Sequence, residues 1–211
     1  MQWPLLAGIP DDDVRRMLQI ARRRRFEKRE TVFHRGDPAD TLHLVYAGHF
    51  AARIVTPLGD TATLSITGPG EAFGEIALLE PGSSRSATVV AIERGETRSI
   101  HRHDFDALRA LHPSVGHVLA SALAARVRRL SELLVEAHYV PAERRVLRRI
   151  AELAAAREGS VPLTQEELAS LAGTSRATVN RVLREAQGRG ELALRRGQVQ
   201  VLDPERLSAR T

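Results

Sequence analysis

LTQEELASLAGTSRATVNRVLREAQGRG, residues 163–190, holds two short helical patterns around one glycine. Thr164 and Glu167 open it in capping-box spacing. An apolar stripe through Leu168, Leu171 and Ala172 then breaks at Gly173. A second helix begins at Thr174 or Ser175, either of which can cap it. Its Val179, Val182 and Leu183 face inward, leaving Arg176, Asn180, Arg181 and Arg184 available to face out. Two short helices about a glycine turn predict a helix-turn-helix. Downstream, ELALRRGQVQVLD (191–203) alternates apolar positions around Arg195, Arg196 and Gly197, which suits a two-stranded wing.

A helical hairpin inside an enzyme would share this pattern, but the outward residue types favour nucleic acid. A helix in the major groove makes forked hydrogen bonds to base edges, and arginine to guanine is the commonest such pair. Arg176 falls in the first turn, where those contacts are made, and Arg181 more than one turn further on. Ser175, Thr178 and the wing residues Arg195 and Arg196 suit phosphates, which fix register without reading sequence. Thr164 joins this DNA-binding set. The charge agrees: of the net +5, +4 falls in residues 140–211, where 13 arginines stand against 9 acidic residues. Such asymmetry favours a polyanion partner.

Upstream, PAERRVLRRIAELAAA (141–156) reads as a helix with proline in its first turn. Before it, SVGHVLASALAARVRRLSELLVEAHYV (114–140) is free of proline. Within it Leu123, Val127, Leu130, Leu134 and Ala137 recur at alternating spacings of four and three, a heptad seam. This helix could pack on its own β domain, but so narrow a stripe flanked by arginines and glutamates favours pairing with a copy of itself.

From Glu30 to Ile100 the pattern is β: TVFH, TLHLVY, FAARIV, TATLSI, ATVVAI and ETRSI, with glycines between or beside them. PLGD at 57–60 signals a hairpin. Evenly spaced, half-apolar strands predict a sandwich or double-sheet roll rather than a parallel sheet with crossover helices. The run ARRRRF from Ala21 reads as a solvated helix face.

Within the β region, GEIALLEPGSSRSA (74–87) joins a glycine and a glutamate to an arginine and a serine. Gly74 permits close approach because it lacks a β-carbon, and EIALLE can form one helical turn whose first amides favour an anion. Arg85 supplies a cationic fork, and Ser86 can donate from hydroxyl and amide to the same anion. Glu75 suits a sugar hydroxyl and would repel a bare anion. The plainer alternative is a Glu–Arg surface pair.

Residues 30–202 resemble the cAMP receptor protein family, often called CRP/FNR. FGEIALLEPGSSRSA is similar to its phosphate-binding cassette and LTQEELASLAGTSRATVNRVL to its helix-turn-helix, in the family's order. The resemblance implies an α+β chain: an N-terminal cyclic-nucleotide-binding β-roll (double-stranded jelly roll) over 1–112, a dimerisation helix over 113–139, and a winged helix-turn-helix over 140–211. It implies a homodimeric transcription regulator gated by cAMP or a related cyclic nucleotide, acting with RNA polymerase on a pseudo-palindromic operator. The cyclic phosphate would be held by Gly74, Arg85 and Ser86 with surrounding amides, those of Ile76 and Ala77, and the ribose 2′-hydroxyl by Glu75. Two positions depart from the family. Where cAMP-responsive members place a threonine and a serine against adenine, this chain has Leu130 and Ser131, and leucine cannot hydrogen-bond a base. In the second helix Ala177 replaces a glutamate, removing an acceptor for a cytosine amine, so a relaxed or different consensus is expected there.

The totals exclude other classes. With 211 residues and 43% hydrophobic content the chain fits one large domain or two small ones. It has no cysteine, which excludes disulfides, thiolate zinc sites and cysteine-ligated iron–sulfur clusters. No apolar run reaches the roughly 18 residues of a spanning helix, and the first residues lack a signal-peptide pattern, so a cytoplasmic protein is expected. His34, His43, His49 and His117 show no ligand spacing and read as ordinary polar positions. His101 and His103 resemble the HxH of cupin metalloenzymes, but no glutamate or second histidine motif follows at the spacing required, so neither a metal nor an enzyme is expected. A same-fold regulator that binds DNA constitutively, or answers another ligand, remains the main alternative.

Overall fold

In a computed structural model of the chain, the described residues are 3, 6, 9–57, 59, 61–155, 159–195 and 197–211, without the side chains of 118 and 122. They form two compact units, Met1–Ile54 with Leu64–Leu130, and Val55–Thr63 with Ser131–Thr211.

Helix α1 (Asp11–Ile20) leads into strands β1 (Arg22–Phe26), β2 (Thr31–Phe33), β3 (Thr41–Ala47), β4 (Phe50–Val55), β5 (Thr61–Thr67) and β6 (Ala72–Phe73), all in the first unit except Val55 at the end of β4 and Thr61–Thr63 at the start of β5. A 3-10 turn over Glu75–Leu78 follows, then β7 (Thr88–Ala91), β8 (Gly95–His101) and α2 (Arg102–Leu111). The strands form two four-stranded sheets, ordered β1-β8-β3-β6 and β2-β7-β4-β5. This is the double-sheet roll that the glycine-punctuated strands predict. One apolar cluster, including Phe26, Val45, Phe50, Phe73 and Val89, lies among strands of the two sheets. A second gathers Met17 of α1, Phe105 and Leu108 of α2, and Leu42, Leu44 and Ile100 of the first sheet. The predicted hairpin PLGD includes Leu58 and Asp60, which lie outside the described residues.

The arginine run is a strand, not a helix face. Ala21, extended at φ −73° and ψ 129°, ends α1, and Arg22–Phe26 pair antiparallel with β8. Four consecutive arginines carry no period, so only a partner strand decides their state. Glu96, directly opposite Arg25, takes ion pairs from Arg23, Arg25 and Arg98, while Phe26 is buried.

Helix α3 (Gly116–Tyr139) carries the heptad seam, with Val127, Leu130 and Leu134 exposed along it. Next come α4 (Ala142–Ala155), β9 (Ser160–Val161), α5 (Gln165–Ala172), α6 (Arg176–Gly188), β10 (Leu192–Arg195), β11 (Gln198–Val201) and α7 (Pro204–Ser208). Ala156, the last residue of the expected fourth helix, lies outside the described residues. Leu168 and Ala172 of α5 and Val179, Val182 and Leu183 of α6 are buried as the apolar spacing predicts, while Leu171 is only partly buried; Val146, Leu147 and Ile150 of α4 are buried as well. β10, β11 and β9 form the wing sheet. Ser170 of α5 donates to Thr61 O at 2.7 Å and accepts from Thr63 N at 2.6 Å, which seats Val55–Thr63 within this unit.

Near the end of α3, Glu136 pairs with Arg149 of α4, and both are almost fully buried. Losing one partner strands the other's charge away from water. Arg149→Met should therefore cost roughly 3–5 kcal/mol in urea unfolding, and the joint Glu136→Leu/Arg149→Met change much less.

Candidate ligand pocket and nucleic-acid interface

The candidate ligand site lies where Phe33 of β2, Thr41 of β3 and Gly74 after β6 meet Arg85. Gly74 ends β6 in the left-handed region at φ +83°, and a β-carbon there would lie 2.8 Å from both Arg85 Nη1 and Thr41 O. Glycine is required on both counts. Arg85 is seated against it with only 5% of its side chain exposed. Its Nη1 donates to Thr41 O at 2.8 Å and its Nη2 to Thr41 Oγ1 at 2.6 Å. Its guanidinium carbon lies 4.0 Å from the ring centre of Phe33, and the Asp40 carboxylate stands 3.7 Å away. Burial lowers the proton affinity of the guanidinium, and Asp40, Asp37 and Glu75 counter it. The buried Nε has no hydrogen-bond partner among the described residues. A buried cation with a donor to spare fits an anionic ligand.

The structure thus brings together Gly74, Glu75 and Arg85. Ser86 is exposed beside them, Ile76 is exposed, and Ala77 is buried with its amide donating to Gly74 O at 3.2 Å. Leu130 and Ser131 are exposed on α3.

The sequence gives little notice of the wall behind Arg85. Thr41 and His43, alternate residues of TLHLVY, point the same way as strand geometry requires. His43 is buried, stacked on Phe73 at 5.0 Å, and within reach of Thr41 Oγ1 at 3.3 Å and Thr97 Oγ1 at 3.1 Å. Arginine can only donate, so Thr41 Oγ1 accepts from Arg85 and can turn its own hydrogen to His43 Nε2; His43 Nδ1–H then donates to Thr97. Burial first, then the charges of Arg85 and Arg24, push the His43 pKa down to about 3. It is a neutral core group rather than an ordinary polar one. Of the HxH pair, His101 Nδ1 accepts from the His103 amide at 3.2 Å and caps α2, while its Nε2 approaches Asp40 at 3.4 Å.

In the C-terminal unit the capping box of Thr164 and Glu167 closes the start of α5. Gly173 ends it in the left-handed region at φ +60°. Arg145 of α4 fixes the turn: Nε donates to Ala172 O, Nη2 to Gly173 O and Nη1 to Val140 O, each at 2.9 Å. Nothing in AERRV singles out this arginine, because two of the three carbonyls it serves are distant in sequence. Ser175 caps α6 by accepting from Thr178 N at 3.1 Å. Arg176, Ala177 and Arg184 are exposed on α6 and Arg195 on the wing, whereas Arg196 lies outside the described residues. Asn180 donates to Gln165 of α5 at 3.0 Å. Arg181, half-exposed, is bonded to Glu143 of α4 and to Glu185, and these carboxylates raise its proton affinity. Among the described residues no helix is long and apolar enough to cross a membrane.

A double-sheet roll followed by a winged helix-turn-helix in one chain is the architecture of a transcription regulator. Residues 23–112 match the cyclic nucleotide-binding domain and residues 144–210 the Crp-like helix-turn-helix domain. The chain is 38% identical to the cyclic AMP receptor protein of Thermus thermophilus, over 94% of this chain and 92% of that protein. It is 34% identical to a CRP-like cAMP-activated global transcriptional regulator of Mycobacterium tuberculosis, over 88% and 86% respectively. The structure of the c-di-GMP responsive global regulator CLP of Xanthomonas campestris is similar, with a TM-score of 0.76 and 25% identity over 91% of this chain and 99% of that one. The chain belongs to the CRP/FNR family of transcriptional regulators, DNA-binding proteins and not enzymes.

His43 sets a pH dependence. The unfolded chain protonates it near 6.5 and the folded chain only near 3, so between these values the unfolded state binds the extra proton. Its contribution to stability is present above 6.5 and is lost as pH falls through that window. Urea unfolding from pH 7 to 4 should show the wild type losing more stability than His43→Gln; equal losses would refute the assignment.

Proposed function

We propose that the chain acts as a cytoplasmic homodimer paired through α3, with cAMP or a related cyclic nucleotide in the roll adjusting its affinity for DNA. The domains would be the roll over 1–112, the dimerisation helix over 113–139 and the winged helix over 140–211. The observation that carries this reading is Arg85: a buried guanidinium with an unpartnered Nε, set against a glycine that leaves room for it. Gly74, Arg85 and Ser86, with the Ile76 amide, would hold the cyclic phosphate and Glu75 the ribose hydroxyl; the Ala77 amide would join them by giving up its bond to Gly74 O. The exposed Val127, Leu130 and Leu134 support pairing of α3 with a second copy. Arg176 and Arg181 would read guanines, with Ala177 and Asn180 beside them. Thr164, Ser175, Thr178, Arg195 and Arg196 would hold phosphates, and RNA polymerase would be the downstream partner. A two-fold dimer of this kind takes half-sites about 34–36 Å apart, the general spacing for dimeric helix-turn-helix proteins. Ligand binding would shift an existing equilibrium between DNA-competent and incompetent states.

Leu130 favours a second reading. A leucine on α3 offers adenine no hydrogen bond, so in this reading the ligand carries a different base or the protein binds DNA without one. The 25%-identical neighbour that is c-di-GMP responsive fits the first of these.

Calorimetry with cAMP, cGMP and c-di-GMP separates the two. Binding heat with one of them should vanish in Arg85→Ala, and in Gly74→Ala, whose β-carbon would displace the guanidinium. Heat retained in Arg85→Ala would remove the phosphate role of Arg85. In gel shifts, Arg176→Ala should weaken operator binding by about 1–3 kcal/mol and relax the preference for guanine at one position.

A further inference from the structure

The reading helix carries one arginine that is already held by protein carboxylates. Arg181 Nη1 donates to Glu185 Oε1 at 3.1 Å, one turn along α6, and Nη2 donates to Glu143 Oε1 on α4. Arg181 and Glu143 are about half exposed, at 51% and 50% of their side chains, so the cluster stands at the surface rather than in the core. We propose that Glu143 is a specificity-determining residue: from α4 it positions the Arg181 guanidinium for base reading, sharpening discrimination while weakening general attraction to DNA. This rests on the reading of α6 as the helix that enters the groove.

Two physical consequences follow from the geometry. A guanidinium has five N–H donors, and the two bonds use one on each terminal nitrogen. One donor remains on each, enough for the forked contact with the O6 and N7 acceptors of guanine. A long side chain held before binding loses less freedom when it binds, and a wrong base meets a guanidinium that cannot readily swing to another acceptor. The second consequence is charge. Two carboxylates around one guanidinium leave a local excess of one negative charge beside a surface that must approach phosphates. That excess opposes the counterion-releasing attraction supplied by Arg176, Arg184 and Arg195. Specific and non-specific binding should therefore respond to Glu143 with opposite signs, a signature that simple damage to the fold would not give. Exposed ion pairs are weak, so the effect should be modest.

The test uses the full-length protein and duplex DNA. A consensus is selected from a randomised duplex library by the wild type. Dissociation constants are then measured for wild type, Glu143→Gln, Glu143→Asp, Arg181→Ala and the Glu143→Gln/Arg181→Ala pair, on the consensus, on each single-base variant and on random duplex. Arg181→Ala should flatten the preference at one position by about tenfold or more. Glu143→Gln should lower discrimination at that same position by about two- to fivefold and bind random duplex more tightly. Glu143→Asp, too short to reach but equally charged, should lose the discrimination without the gain in random binding. In the Arg181→Ala background Glu143→Gln should have no further effect on discrimination. If Arg181→Ala flattens a position and Glu143→Gln leaves it sharp, the positioning role is overturned while the reading of α6 stands. If Arg181→Ala flattens nothing, or no consensus emerges, the reading of α6 fails and this inference falls with it.

Discussion

One buried cation organises the ligand-binding unit. Taking a guanidinium out of water is unfavourable unless its donors and its charge are met, and Arg85 is met from several directions at once. The backbone and hydroxyl of Thr41 take two donors, the face of Phe33 lies under the plane, and Asp40 supplies an opposite charge within 3.7 Å. This seat exists only because Gly74 has no side chain. The same cation helps to hold His43 neutral, which lets an imidazole stack on Phe73 and lie among aromatic rings. In the proposed reading this fork would meet the ligand's anion, and a ligand that binds only the folded chain would add to its stability.

The C-terminal unit uses the same chemistry without a ligand. Arg145 gives three donors to three backbone carbonyls, two of them at the end of α5 where helical carbonyls lack partners. With Gly173 in the left-handed region, this sets the turn between α5 and α6. A lysine could not take that place, since the contacts need a planar fork with donors in several directions. Arginine thus serves two ends in this chain. Buried, as at Arg85 and Arg149, or spread over carbonyls, as at Arg145, it cross-links the fold; exposed, as at Arg176, Arg184 and Arg195, it keeps its charge at the surface.

How far each feature could be read in advance depended on whether its cause was local. The capping box of Thr164 and Glu167, the Ser175 cap and the Gly173 break are set by neighbours within a few residues, and all three stand as the spacing predicts. The roll strands from Thr31 to Ile100 were readable because glycine punctuation and half-apolar runs are local as well. Strand β1 was not: four arginines have no period, and pairing with Thr97, Glu96 and Gly95 overrode the helical expectation. His43 looked polar because its type is polar, and only its neighbours from other strands make it a core residue.

The sequence alone determined the order of roll, long helix and helix-turn-helix, and the grouping of glycine, glutamate, arginine and serine in residues 74–86, since these follow from residue type and short spacing. Tertiary structure decided what each charged side chain does. It sent Arg85 to Thr41 and Phe33, Arg145 to the α5 carbonyls, Arg149 to Glu136 and Arg181 to Glu143. A long flexible cation has many partners within reach of its chain, and only the packed backbone fixes which acceptor lies where its donors point.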